Sequence, residues 1–102
     1  MKECCRQYLN EQFGGDTAIM GEIYDEYTSS TRESIRGATA TLAAEEWTTL
    51  DRVAHTLKGN ALSAGDTDMA ETAIALRKAV ALKDSAEAES LIAKLDALSK
   101  EL

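Results

Sequence analysis

The chain has 102 residues, a length that suits one domain with a single hydrophobic core. Hydrophobic residues make up 44% of it and charged residues 28%, which is typical of a globular protein rather than a disordered chain. The formal net charge of −7 argues against a nucleic-acid partner, because nucleic-acid binders carry clustered positive charge. No apolar stretch approaches the ~20 residues that cross a bilayer, and the first residues lack the apolar core of a secretory signal. We therefore expect a cytoplasmic protein that does not enter a membrane.

The first half of the chain predicts a short helix and then a long one. A short amphipathic segment over residues 8 to 13 is closed by Gly14-Gly15. From about residue 16 to residue 43, apolar side chains recur at spacings of three and four, which predicts one long helix capped by Asp16 or Thr17. Its predicted apolar positions are Ile19, Met20, Ile23, Tyr24, Tyr27, Thr31, Ile35, Ala38 and Leu42.

Three further helices follow. The clearest stripe is Trp47, Leu50, Ala54, Leu57, Ala61 and Ala64, after which Gly65 ends the helix. The next helix is capped by Asp66 or Thr67 and carries Met69, Ala73, Leu76 and Val80. The last opens at Asp84 or Ser85 and carries Ala88, Leu91, Leu95, Leu98 and Leu102, with Ile92 beside them.

Short connections between four amphipathic helices favour an antiparallel arrangement, because neighbouring helices can then bury their stripes together. The sequence predicts an all-α protein: an antiparallel up-and-down four-helix bundle with a short additional N-terminal helix, forming one domain over residues 1–102.

His55 is the only histidine, and it lies inside the helix that begins near Trp47. At about 100° per residue, its side chain points about 130° away from the mean direction of the apolar stripe. A histidine that fills the core would share the stripe, so we expect His55 to face solvent.

Several groups lie near His55 on the same flank. Lys58 follows one turn later, within reach of anything attached to the ring, and Gly59 opens space beside the imidazole. Leu62 continues this flank as a candidate docking contact. Because the helices on either side of Gly65 should be antiparallel, Arg77 is expected level with His55, where it either adds positive charge or pairs with a neighbouring acid.

The chemistry of such a strip is limited but specific. A neutral imidazole nitrogen can attack phosphorus, whereas this sequence has no second base, no oxyanion cradle and no glycine-rich nucleotide loop. We therefore expect that this chain is not an enzyme with its own ATP site. No carboxylate cluster surrounds His55, so we expect this chain to bind no metal or cofactor and any catalytic metal to belong to a partner.

The run Ala54-His55-Thr56-Leu57-Lys58-Gly59, followed by Gly65, closely resembles the signature of histidine-containing phosphotransfer (HPt) domains of two-component phosphorelays. The resemblance covers nearly the whole chain, and members of this family are four-helix bundles with a short N-terminal helix. It implies that His55 accepts a phosphoryl group on Nε2 from a receiver-domain aspartyl phosphate and passes it to another receiver aspartate.

The resemblance also implies the partners. They would be a response-regulator receiver domain, which would carry Mg²⁺, and a sensor or hybrid histidine kinase; we expect the chain itself to be a monomer. Lys58 would steady the phosphoryl oxygens, Gly59 would leave room for them, and Leu62 and Ile74 would contact the receiver.

The chain departs from the family pattern at three places. Glu45-Glu46 precedes Trp47 where a Gly-Asp pair is common, Asn60 replaces a small residue, and Arg77 follows Leu76 where many members have glutamate. These departures bear on partner choice and local polarity.

Two alternatives stay open at this point. One is a helical interaction module that binds receivers or another signalling partner without being phosphorylated. The other is a metal-binding protein that uses His55 with Cys4 and Cys5, although adjacent cysteines lack the spacing of a zinc site.

Overall fold

The computed structural model describes all 102 residues and contains five α-helices and no strand. The helices are α1 Glu3–Phe13, α2 Thr17–Ala43, α3 Trp47–Ala64, α4 Thr67–Ala81 and α5 Ser85–Ser99. Helices α2 to α5 each pack against the next, and α5 packs against α2, which closes a four-helix bundle. Helix α1 lies across α2 and α3. The predicted class, a four-helix bundle with a short N-terminal helix, is confirmed.

Three aspartates begin the helices that the sequence predicted them to begin. The side chains of Asp16, Asp66 and Asp84 each accept a hydrogen bond from the backbone N–H three residues on, at 3.2, 3.4 and 3.1 Å respectively. Such caps satisfy backbone donors that the first turn leaves without partners. Helix α3 has no side-chain cap, because Glu46 does not bond to its first turn.

The predicted apolar stripes of α3 and α4 form the core between them. All predicted positions of both helices are buried except Trp47, which is half-buried at the start of α3. In α5 the expectation was partly wrong: the buried row is Ala88, Ile92, Leu95 and Ser99, whereas Leu91, Leu98 and Leu102 are only partly buried. Because α5 packs against both α2 and α4, apolar side chains line both margins of its buried row.

The turn between α3 and α4 requires glycine for two reasons. Gly65 adopts φ +73°, a left-handed conformation in which side chains are strained. A Cβ atom added there would also overlap the side chain of Tyr8, so α1 packs directly on this turn. The turn is therefore fixed both by its own backbone and by the N-terminal helix.

A buried polar cluster lies beside this turn and consists of Asp66, Lys2 and Tyr27; we call it the Asp66 cluster. Asp66 is 1% exposed, and its carboxylate accepts hydrogen bonds from Lys2 Nζ and Tyr27 Oη, both at 2.7 Å. Burial lowers the pKa of Lys2, but the hydrogen bond to Asp66 and its charge outweigh burial, so the pKa is raised overall. The sequence predicted Asp66 only as a cap and did not reveal this cluster.

The turn between α2 and α3 places Glu45 in a strained backbone conformation. Glu45 has φ +54°, where glycine is favoured, and this is the position at which the family pattern commonly has glycine. The chain thus makes this turn with a residue that is less suited than glycine to the left-handed conformation.

Candidate functional site

His55 lies near the middle of α3 and is exposed, as the position of the stripe predicted. Its neighbours Ala54 and Leu57 are fully buried and hold this segment of α3 against the bundle. The imidazole is therefore presented to solvent on a rigid helix rather than on a loop, which limits its motion to the side-chain torsions.

The two ring nitrogens of His55 have different surroundings. Nδ1 lies 3.2 Å from Nη1 of Arg77, which confirms that α4 brings Arg77 level with His55. Nε2 has no hydrogen-bond partner in the chain. Nε2 is thus the ring nitrogen that a partner molecule can approach without displacing a protein contact.

Arg77 is held by a residue that the sequence reasoning missed. Asp51 Oδ1 accepts a hydrogen bond from Arg77 Nε at 3.1 Å, and Asp51 Oδ2 accepts one from Arg77 Nη2 at 3.3 Å. This forked bond lowers the pKa of Asp51 and raises that of Arg77. Of the two alternatives left open for Arg77, the salt bridge to a neighbouring acid is the one that occurs, and the same guanidinium also contacts the imidazole. Asp51 stands four residues before His55, and that one-turn spacing was the signal that could have identified it.

Lys58 and Ile74 border an open groove beside this ion pair. The groove has a volume of about 640 Å³, runs between α3 and α4, and is also lined by Trp47 and Arg77. Lys58 is half-buried and forms neither a hydrogen bond nor an ion pair within the chain. Its ammonium therefore has no charged or hydrogen-bonded partner within the chain.

Gly59 and Leu62 continue the exposed flank of α3. A Cβ added at Gly59 would meet no atom within 4 Å, so no packing inside the chain requires glycine there. Leu62 is 54% exposed and Ile74 is 39% exposed, which places two apolar side chains at the surface near the histidine. The structure places all six residues predicted for the site on α3 and α4.

Asn60, the second family departure, has a structural role. Its side-chain amide donates a hydrogen bond to Ser30 Oγ at 2.9 Å and so links α3 to α2. This bond lies on the α2 side of α3, and Asn60 does not line the groove between α3 and α4.

The metal-binding alternative finds no support in the geometry. No group of three or more His, Cys, Asp or Glu side chains is placed to hold a metal ion. Cys5 is buried in the core, and burial together with the charge of Asp66 raises the pKa of its thiol.

None of the five helices is both long and apolar enough to span a membrane.

The comparison with protein families identifies this architecture. The family model of the Hpt domain matches residues 22–102, which is most of the chain, and the chain therefore belongs to the Hpt domain family. Neither the comparison with curated proteins nor the comparison with solved structures gives a match.

Membership of this family defines the general activity. Hpt domains are intermediates of histidine phosphotransfer in phosphorelays, where they interact with receiver domains and histidine kinases.

Proposed function

We propose that this Hpt domain accepts a phosphoryl group on Nε2 of His55 from a receiver-domain aspartyl phosphate and returns it to another receiver aspartate. The observation that carries the proposal is the environment of the ring: His55 is the only histidine, it is exposed, and Nε2 has no partner in the chain. In the transfer, the Nε2 lone pair forms the N–P bond as the P–O bond breaks, and the electron pair leaves with the aspartate carboxylate.

Lys58 and Gly59 have separate roles in this proposal. The unpaired ammonium of Lys58 neutralises charge on the phosphoryl oxygens, which is the main task of a protein in this loose transition state. Gly59 leaves the space that those oxygens and the partner's active-site loops occupy. In this proposal Mg²⁺ belongs to the partner receiver, because this chain places no group of three or more His, Cys, Asp or Glu side chains where they could hold a metal ion.

Leu62 and Ile74 form the apolar contact with the receiver in this proposal. Leu62→Ser should weaken receiver binding, whereas Ile19→Ser, which changes a 41% exposed side chain on α2, should not. Titration calorimetry with one receiver and the two variants measures this difference. Equal weakening by both substitutions would contradict the assignment of the α3 flank as the docking surface.

The transfer itself is tested with a panel of phosphorylated receiver domains, incubated with Mg²⁺ and either the wild type or His55→Gln. We expect one acid-labile phosphoryl group per wild-type chain and none on the variant. Because His55 is exposed, the substitution should leave the fold intact, and its circular dichroism spectrum serves as the control. Label on the variant would refute the assignment of His55. Receiver binding without label on either protein would favour the interaction module instead.

A further inference from the structure

The ion pair between Asp51 and Arg77 constrains the protonation of His55. Arg77 binds both carboxylate oxygens of Asp51 and at the same time places Nη1 3.2 Å from His55 Nδ1. Arg77 therefore stands between the carboxylate and the ring. The three side chains form a chain of polar contacts from α3 to α4 and back to α3.

A guanidinium group has hydrogen-bond donors and no acceptor. Nδ1 must consequently be the acceptor in this contact, and a neutral ring then carries its proton on Nε2. An Nε2 atom that bears hydrogen has no lone pair with which to attack phosphorus. In the arrangement that the structure shows, the open nitrogen of His55 is accessible but not nucleophilic.

Asp51 is placed to support the opposite tautomer. It precedes His55 by one helical turn on the same flank, and the charge interaction with His55 contributes, after the larger effects of Arg77, to the lowered pKa of Asp51. If Arg77 moves away, this carboxylate can accept a hydrogen bond from Nδ1–H. A carboxylate in that position fixes the ring with Nε2 unprotonated, as in other sites where histidine reacts through Nε2.

The ion pair that holds Arg77 is only partly buried. Its side chain is 37% exposed and that of Asp51 is 42% exposed, and exposed ion pairs of this kind contribute little stability and rearrange readily. A phosphoryl group arriving at Nε2 brings negative charge to the same face of α3, where a guanidinium can bind two oxygens at once.

We propose that Asp51 is a positioning residue for His55 and that Arg77 exchanges between two places. In the unloaded protein Arg77 bridges Asp51 and Nδ1, and the ring proton lies on Nε2. As a phosphorylated receiver docks, Arg77 moves to the phosphoryl oxygens. The ring then changes tautomer: Nε2 gives its proton to water, and Nδ1 takes a proton from water. The Nδ1–H group donates a hydrogen bond to Asp51. Nε2 then forms the N–P bond while the receiver's P–O bond breaks. The choice of Nε2 as the attacking atom rests on the proposed function.

Nitrogen-15 NMR of the histidine ring tests the exchange without any phosphoryl donor. Because the chain has one histidine, a sample labelled at histidine gives a single pair of ring nitrogens. With the ring neutral, the wild type should show a protonated Nε2. Arg77→Met removes every hydrogen-bond donor of this side chain. The hydrogen bond from Arg77 to Nδ1 is then lost, and one from Nδ1–H to Asp51 can form. The ratio of tautomers should therefore shift toward Nδ1–H by about tenfold.

Two further variants make the result specific. Arg77→Met combined with Asp51→Asn should lose most of this shift, since the carboxylate acceptor is gone. Arg36→Met, which removes an exposed arginine of α2 that has no hydrogen-bond partner, should give the wild-type spectrum. A ring that keeps its Nε2 proton in Arg77→Met, or a double variant identical to it, would overturn the inference.

The rate of transfer provides a second readout. In the Arg77→Met background, Asp51→Asn should slow phosphoryl acceptance about tenfold while receiver affinity stays unchanged. The two experiments separate the proposals. Tautomer shifts without any transfer would support the role of Asp51 and contradict the proposed function. Transfer with unaltered tautomers would support the proposed function and contradict the role of Asp51.

Discussion

Two carboxylates of the same bundle hold cations in contrasting ways. Asp66 is buried, and its oxygens bind Lys2 and Tyr27 while it also caps α4. Asp51 lies on the surface, and the pair it forms with Arg77 is more than a third exposed on both sides. Solvent screens the second pair and not the first. The comparison indicates that the Asp66 cluster stabilises one conformation, whereas the pair beside His55 can rearrange during function.

The largest effect expected from this contrast is on stability. Asp66→Ala should lower the free energy of unfolding by about 3 kcal/mol, because it leaves the largely buried ammonium of Lys2 and the buried hydroxyl of Tyr27 without their acceptor. Urea denaturation followed by circular dichroism measures the change. The matched control is Asp84→Ala, which removes an exposed cap of the same kind and should cost about 1 kcal/mol. Equal costs would mean that the Asp66 cluster contributes nothing beyond capping.

The same cluster should make the protein sensitive to alkali. Burial and the charge of Asp66 raise the pKa values of Cys5 and Tyr27. A group with a raised folded pKa contributes stability below its unfolded pKa, and this contribution is lost as the pH rises toward the folded value. The free energy of unfolding should therefore fall by about 1.4 kcal/mol per pH unit for each group, starting near pH 8.5 for Cys5 and near pH 10 for Tyr27.

Cys5→Ala separates the contributions of the two groups. It should abolish the decrease between about pH 8.5 and pH 10 and leave the later decrease in place. Urea titrations at several pH values provide the measurement. The exposed pair acts in the opposite direction, because the lowered pKa of Asp51 contributes stability above its unfolded pKa that is lost in acid. A wild type whose stability stays constant up to pH 11 would contradict the role assigned to Cys5.

Gly59→Ala should produce the smallest change in stability and the most informative one. An added methyl group meets no atom of the chain, so replacing glycine in an exposed helix should raise stability by about 1 kcal/mol. Phosphoryl acceptance should nevertheless slow, because the methyl group occupies space beside the imidazole. Gly37→Ala in α2, where an added Cβ also meets nothing, should give a similar gain in stability without affecting transfer. Unchanged transfer in Gly59→Ala would remove the functional role of this glycine.

The same contrast explains which features the sequence could predict. The helices α2 to α5, three of their caps and the exposure of His55 follow from periodicity and cap residues, which are local properties. The position of Arg77 level with His55 followed from the antiparallel arrangement of the helices on either side of Gly65. The Asp66 cluster could not be predicted in this way, since Lys2 and Asp66 are 64 positions apart and meet only because α1 folds onto the α3–α4 turn.

The buried row of α5 could not be placed for a related reason. Leucines occur on both sides of this helix, and only its packing between α2 and α4 decides which row is buried. The role of Asp51 could be predicted only in part. Its one-turn spacing from His55 was visible in the sequence, but the fork with Arg77 depends on side-chain positions across two helices.

The most direct test of the account locates the phosphorus atom. The protein labelled with nitrogen-15 at its single histidine is incubated with a phosphorylated receiver and Mg²⁺, and the coupling between phosphorus-31 and each ring nitrogen is recorded. The account predicts a one-bond coupling to Nε2 and an unsubstituted Nδ1. Phosphorus bonded to Nδ1, or to a residue other than His55, would contradict the account.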